Sequence, residues 1–322
     1  MRNNFHPRCL RAAAPLCILI CQNFCSQHAI SSARQADLRQ VYAASTIFQN
    51  ISRDFLAAPD RNSATNMNRP VCEAEPKFFW RVRSKASSFT VMLVHLFFDV
   101  AAWVSAWLVG GFVARRYFSG ARSVLRDPGY FISLGLGAVA GALLFGSLNL
   151  SLAGFWQLGH SIAGAVAGGI VGVELFKLAT GVRGSTGGQF VAPLALGIAV
   201  GRLGCFFAGL PDYTYGTPTY LPWGVDFGDG VPRHPVQLYE SGAMLLFLAA
   251  YLGALATDSQ LARRQGFYLF VGWYALQRFA WEFLKPYPPV LGPLNVFHLV
   301  CITLIGYSVY MMRQTHELRA AV

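Results

Sequence analysis

Two arginines stand where this chain has least reason to place them. Arg202 lies near the end of the run from Val191 to Leu210, which is otherwise apolar enough to cross a membrane, and Arg278 lies within a second apolar run. An arginine at membrane depth costs several kcal/mol, about 2.5 to 3.5 by the lower estimates, unless it is paired, snorkels or lines a polar cavity. Carried on separate helices, two guanidinium forks can grip a phosphate by paired hydrogen bonds, so a phospholipid head group is the expected ligand. The apolar runs also hold His95, Asp99, His160, Glu174, Glu240, Glu282 and His298. Tyr274, Arg278 and Glu282 fall at i, i+4 and i+8, one stripe of a helix that should face the bundle interior. His160, preceded by Gly159 and followed by small residues, can titrate near neutral pH and act as a general base. A satisfied structural histidine fits its pattern equally well. The carboxylates have a plainer alternative, in which Arg278 pairs with Glu282 or Glu240 and the pairs hold helices in register.

The arginines need helices, and the composition supplies them. With 54% hydrophobic and 13% charged residues and a mean hydropathy of +0.40, the chain is far poorer in charge than a soluble protein, where about a quarter of residues are charged. Seven apolar runs follow Ser88, at about 89–114, 129–150, 155–180, 190–210, 235–256, 266–284 and 292–312. The expected fold is an all-α integral membrane protein of about seven transmembrane helices. Between the fourth and fifth runs the chain reads GLPDYTYGTPTYLPWGVDFGDGVPRH from Gly209, a stretch that cannot continue a helix comfortably. Arg233, His234, Gln237, Tyr239 and Glu240 then bring polar groups back as the next run begins, so the chain folds over and returns beside Arg202.

The net charge of +11 sits mainly in the N-terminal tail and in short loops, a pattern of membrane topology and anionic lipid rather than of nucleic acid. Arg115, Arg116, Arg122 and Arg126, Lys177 and Arg183, Arg263 and Arg264, and Arg313 and Arg319 all mark one side, whereas the opposite loops offer Arg233 and Lys285. The positive-inside rule therefore puts the C-terminus in the cytoplasm, the N-terminus outside and the Pro211–His234 loop on the outer face. Lys77, Arg81, Arg83 and Lys85 count against this and are outvoted. Glycines recur every four residues at Gly137 and Gly141, at Gly164, Gly168 and Gly172, and at Gly197 and Gly201. Such bare faces let helices approach closely, so the second, third and fourth spans are expected to form a tight central bundle.

Residues 1–87 form a separate tail, set against a membrane domain over 88–322. Its one apolar run, Ala12 to Cys21, is too short to span, since a helix needs about 20 residues. A signal-peptide core, a transit peptide and a start codon placed too far upstream all fit it, and residues 1 to about 66 are expected to contribute nothing to the folded bundle. Cys17, Cys21 and Cys25 share a helical spacing but match no usual zinc pattern. No metal or cofactor is expected anywhere in the chain.

At four places the sequence resembles the bacterial prolipoprotein diacylglyceryl transferases: His160 before a glycine-rich helix, GRLGCF from Gly201 with a later Gly216, RHPVQLYE from Arg233, and YALQRFAWEF from Tyr274. GRLG and HPVQLYE are specific together and weak apart. The resemblance implies a seven-span enzyme of the bacterial plasma (inner) membrane. It would move the diacylglyceryl group of phosphatidylglycerol onto the thiol of a lipobox cysteine in an exported preprotein and release glycerol phosphate. Carried over by position, Arg202 and Arg278 would hold the lipid phosphate, His160 would assist thiol deprotonation, and Tyr274, Glu240 and Glu282 would order the arginines. Gly216 and His234 belong to the matching blocks and are carried over as substrate-binding. The chain departs from the family signature where an asparagine is replaced by Cys205, a second asparagine near Ala208 and a glutamate near Leu210 are missing, and a first-span tyrosine gives way to Phe97. These positions lie in the site and bear on the substrate rather than the fold. A lipid-binding paralogue and a small-solute transporter are the rival readings. The first would keep the arginines without needing His160, and the second needs a polar path to the cytoplasmic face, for which Glu174 is the only hint.

Overall fold

The structure, a computed structural model, describes residues 80–81, 88–118, 127–156 and 158–320, with side chains over 91–118, 127–156 and 158–314. Among them are seven long helices: α1 (Ser88–Tyr117), α2 (Pro128–Leu152), α3 (Ile162–Thr180), α4 (Val191–Ala208), α5 (Val236–Ala256), α6 (Gln260–Glu282) and α7 (Val296–Ala320). Six of them are long and apolar enough to cross a membrane. The exception is α6, which carries Arg263, Arg264, Arg278 and Glu282 along its length. The all-α, multi-pass architecture read from composition is therefore present, with the least apolar helix being one that carries a candidate arginine. Apart from Trp80–Arg81, the tail lies outside the described residues. That pair, β1, runs parallel to β2 (Val225–Asp226), which pairs antiparallel with β3 (Pro232–Arg233).

Local chemistry sets several helix ends. Asp127 accepts a hydrogen bond from the Gly129 N–H at 2.8 Å ahead of Pro128, and Ser161 caps α3 by accepting from the Gly164 N–H at 3.2 Å, each satisfying an amide the first turn leaves without a partner. Gly181 closes α3 in the left-handed conformation, φ 71°. The third apolar run, expected to be helical from about 155, starts its helix only at Ile162. Gly154 takes φ 85° and ends the α2 turn, and the described residues from there to the Ser161 cap are not helical. His160 thus precedes the helix instead of standing within it.

Glycine spacing foretold part of the packing. Gly137, Gly141 and Gly146 of α2 meet Gly168 and Gly172, Gly164, and Gly159 respectively, backbone against backbone, and a methyl at Gly137, Gly141 or Gly168 would overlap a facing carbonyl. The fourth span does not join this seam. Gly201 has open space where a Cβ would project and Gly197 meets only the Ala106 methyl, at 3.8 Å. The packing partners of α4 are α1 and α5, and its close glycine contact is Gly204, where a Cβ would come within 2.7 Å of Phe98. Every-fourth spacing marks a bare face but not what covers it.

The buried core runs through α4, α5, α6 and α7, from Val191, Ala195 and Ala199 to Met244, Phe270, Tyr274 and Cys301. Polar crosslinks tie these helices together. Ser241 donates to the Ala199 carbonyl at 2.9 Å, Trp273 to the Ala243 carbonyl at 3.0 Å and Ser308 to the Tyr268 carbonyl at 2.8 Å. Such bonds matter in a chain whose surroundings offer no water to compete for the groups.

Candidate functional site

The C-terminal parts of α4 and α6 and the start of α5 converge on one carboxylate. Glu240, 1% exposed, is met by Arg202 Nε at 2.6 Å, by Lys285 Nζ at 2.9 Å and by Arg278 Nη1. Arg278 also turns its Nε to Glu282, one helical turn on, at 2.9 Å. Glu282 in turn accepts from Asn295 Nδ2 at 3.4 Å, and the Asn295 side-chain oxygen caps α7 by accepting from the Phe297 and His298 amides. Arg202, Arg278, Lys285, Glu240 and Glu282 are all at least 95% buried. Three cations face two carboxylates, so the cluster keeps one positive charge in a dry setting, where unpaired charge is expensive. Following α6, the Lys285 ammonium is pulled down to about 8 by burial and by the neighbouring Arg278.

Tyr274 lies fully inside this cluster, and its hydroxyl has no hydrogen-bond partner among the described residues. The stripe of Tyr274, Arg278 and Glu282 does face the interior, and its continuation is Lys285, seven residues beyond Arg278. Sequence reasoning took Lys285 for a loop charge, although the i, i+4, i+7 spacing from Arg278 through Glu282 was there to be read.

Over the cluster lies the loop between α4 and α5. Gly209, φ 73°, turns the chain out of α4. The Gly216 N–H donates to the His234 carbonyl at 3.1 Å, and the Thr217 N–H donates to the Leu284 carbonyl at 2.7 Å, pinning the loop to the end of α6. A Cβ on Gly216 would come within 2.6 Å of the His234 Cβ. Gly216 and His234 therefore meet each other, as a rung that seats the loop. The imidazole of His234 lies 3.4 Å from the Tyr239 hydroxyl, and burial lowers its pKa. Arg233 is engaged within the loop, where Nη1 donates to Asp229 at 2.7 Å and to the Val231 carbonyl at 3.0 Å. His160 stands on another segment, half-buried, its backbone nitrogen pressed against Gly146 of α2.

The structure thus brings Arg202, Arg278, Glu240, Glu282 and Tyr274 into one cluster, sets Gly216 and His234 in the loop above it, and holds His160 at the entrance to α3. Among the described residues no group of His, Cys, Asp and Glu is arranged to hold a metal ion.

The model of the family described as prolipoprotein diacylglyceryl transferase matches residues 83–313, which include every one of these positions. The chain belongs to the prolipoprotein diacylglyceryl transferase family. A phosphatidylglycerol–prolipoprotein diacylglyceryl transferase of Solidesulfovibrio magneticus is 38% identical over 210 residues, 60% of this chain and 76% of that one. The protein of the same name from Bordetella parapertussis is also 38% identical, over 143 residues, 43% of this chain and 53% of its own length. A Methylococcus capsulatus relative of that name is 27% identical over 265 residues, 73% of this chain and 96% of its own. No solved structure matches the chain. Cys205 is buried beside Arg202 and Asp212, inside the polar cluster rather than at its edge.

Proposed function

We propose that this protein transfers the diacylglyceryl group of phosphatidylglycerol to the thiol of a lipobox cysteine in an exported prolipoprotein, in the bacterial inner membrane. The observation that carries the proposal is the pair of buried arginines on α4 and α6, oriented by one shared carboxylate and left with a surplus positive charge. A phosphate diester entering there supplies the missing negative charge. Glu240 holds the two guanidinium groups close to one another, and Glu282 fixes the plane of Arg278, so both forks are set before the lipid arrives. That preorganisation favours the transition state, in which charge builds on the departing phosphate. The acceptor sulfur attacks the sn-3 carbon of the glyceryl unit, the carbon–oxygen bond breaks, and glycerol phosphate leaves. Tyr274, buried beside both arginines, offers a hydroxyl to the same phosphate. His160, at the entrance to α3, is the base that the family resemblance implies, and Gly216 with His234 seats the loop beside the cluster. The chemistry asks for no metal or cofactor.

The loop around Tyr215 and Trp223 faces the periplasm and the α5–α6 turn at Arg263 faces the cytoplasm, so that an exported acceptor meets the site from outside. Reaction of Arg263→Cys but not Trp223→Cys, at an exposed position of the loop, with an impermeant thiol reagent in intact cells would reverse this orientation.

One alternative has a specific observation behind it. The resemblance implies an asparagine where Cys205 stands, a second near Ala208 and a glutamate near Leu210, and their absence suits a paralogue that binds phospholipid without transferring it. Complementation separates the two. The chain is expressed in bacteria depleted of their own transferase, and mass spectrometry asks whether prolipoproteins gain the diacylglyceryl group. Growth with lipidated prolipoproteins is expected. A correctly inserted chain that leaves them unmodified would favour the paralogue.

A further inference from the structure

Next to the arginine cluster is a second polar group that the mechanism above does not use. His95 and Asp99, one turn apart on α1, are both buried among apolar helices. His95 Nε2 faces Asp212 Oδ1 across 3.2 Å, with the two side chains 5% and 11% exposed. Asp212 ends a short 3₁₀ turn, Leu210–Asp212, just past α4. It accepts from the Thr214 hydroxyl and lies beside the Cys205 thiol, which is itself one turn beyond Arg202. Thr214 Oγ1 accepts from Gln237 Nε2 at 3.3 Å, and Gln237 is one turn before Glu240. A continuous polar chain, His95–Asp212–Thr214–Gln237, therefore reaches within one helical turn of both Arg202 and its carboxylate. Gln237 is completely buried, yet its Oε1 has no partner among the described residues. An acceptor oxygen in that state is a place for a donor that arrives with substrate.

We propose that His95 and Asp212, in place of His160, form a catalytic dyad that takes the proton of the acceptor thiol, with Gln237 Oε1 and Thr214 orienting the incoming group. The inference rests on the transfer activity proposed above. A carboxylate facing Nε2 keeps the ring hydrogen on that nitrogen, which leaves Nδ1 as the accepting atom. The thiol proton passes to His95 Nδ1, the sulfur electron pair forms the bond to the sn-3 carbon, and the pair of the breaking carbon–oxygen bond leaves on glycerol phosphate. The departing phosphate removes the proton and returns the ring to its neutral form. The charged groups around the ring are Asp99 on its own helix and Asp212 on the 3₁₀ turn; beside Asp212 on α4 is the Cys205 thiol, which has Arg202 on its other side. Two carboxylates around one imidazole stabilise the cation that forms when the thiol gives up its proton. An ordinary thiol, with a pKa of about 8.5, is mostly protonated at neutral pH and needs such an acceptor.

The test uses the full chain in mixed micelles of detergent and phosphatidylglycerol, with a lipobox peptide bearing one cysteine. His95→Gln and Asp212→Asn should each lower kcat by about 100-fold or more, the usual scale of general-base loss. KM for phosphatidylglycerol should stay within about twofold, because the arginines are untouched. The acid limb of the kcat profile should be displaced in Asp212→Asn, and Asp212→Glu, which keeps the carboxylate, should recover much of the rate. Parental kcat in His95→Gln or Asp212→Asn would overturn the dyad while leaving the transfer activity standing. So would variants whose thermal stability and rate fall together without rescue by glutamate. A folded parental chain with no transfer would overturn the activity and the dyad with it.

Discussion

The α2–α3 seam and the α4–α5–α6 seam lie in the same bundle and are held together by opposite means. Between α2 and α3 much of the contact is backbone on backbone: Gly137 and Gly141 rest directly on Gly164, Gly168 and Gly172, and Gly146 on Gly159 just ahead of α3. The attraction there is dispersion over a large, close contact, which lipid cannot reproduce because its tails do not fit between the ridges. Between α4, α5 and α6 an apolar core is joined by three cations on two carboxylates, all removed from solvent. The first arrangement tolerates no added volume and is indifferent to charge. The second is built on charge and carries the cost of burying it. A structure that needed only to hold helices together could use the first device throughout. The second suits a place that a ligand of complementary charge has to enter, as proposed for this cluster.

The largest effect should come from removing the carboxylate that serves both arginines. Glu240→Ala leaves Arg202, Arg278 and Lys285 with Glu282 alone, and breaking a buried ion network in this way costs about 3 to 5 kcal/mol. Little folded protein should be recovered, as judged by size-exclusion chromatography in detergent. Near-parental recovery would mean that the seam is not held by charge.

Next in size is Gly168→Val. Its side chain would overlap the Gly137 carbonyl and press on the Gly141 Cα, and overpacking of this kind costs about 1 to 3 kcal/mol or more. Melting should fall while the variant that still folds keeps its phosphatidylglycerol affinity. A lipid-binding defect in excess of the stability loss would mean that the two seams are not separate devices.

Smaller in energy, but sharper, are Arg202→Lys and Arg278→Lys. Lysine preserves the charge that Glu240 needs and loses the planar two-donor fork. Transfer should drop roughly tenfold or more, equivalent to about 1.4 kcal/mol of lost transition-state stabilisation, with abundance and melting nearly unchanged. Parental transfer rates in both variants would assign the arginines to the scaffold. The smallest change is expected from Gly201→Ala, whose Cβ would enter open space. Its melting temperature should shift by no more than about 0.5 kcal/mol in stability terms, in contrast to Gly168→Val. A collapse comparable to Gly168→Val would show that α4 does share the glycine seam.

The sequence by itself determined the class of fold, because hydropathy and helical periodicity are local properties that survive without knowledge of neighbours. It also determined that Tyr274, Arg278 and Glu282 share an inward face, since residues four apart on a helix must point the same way. The same rule covers Lys285. The tertiary structure alone decided which carboxylate serves which arginine. Glu240 lies 38 residues from both Arg202 and Arg278 in sequence, and whether it meets one, the other or both depends on how three helices are rotated about their axes. The same holds for Asp212 beside His95 and Cys205, because the turn that carries it follows a glycine with positive φ whose direction no local pattern specifies. The glycine faces show the limit most plainly. Spacing marks Gly164, Gly168 and Gly172 and equally Gly197 and Gly201 as bare, yet only the first set meets another backbone, because a bare face becomes a contact only when the path of a neighbouring helix brings one to it.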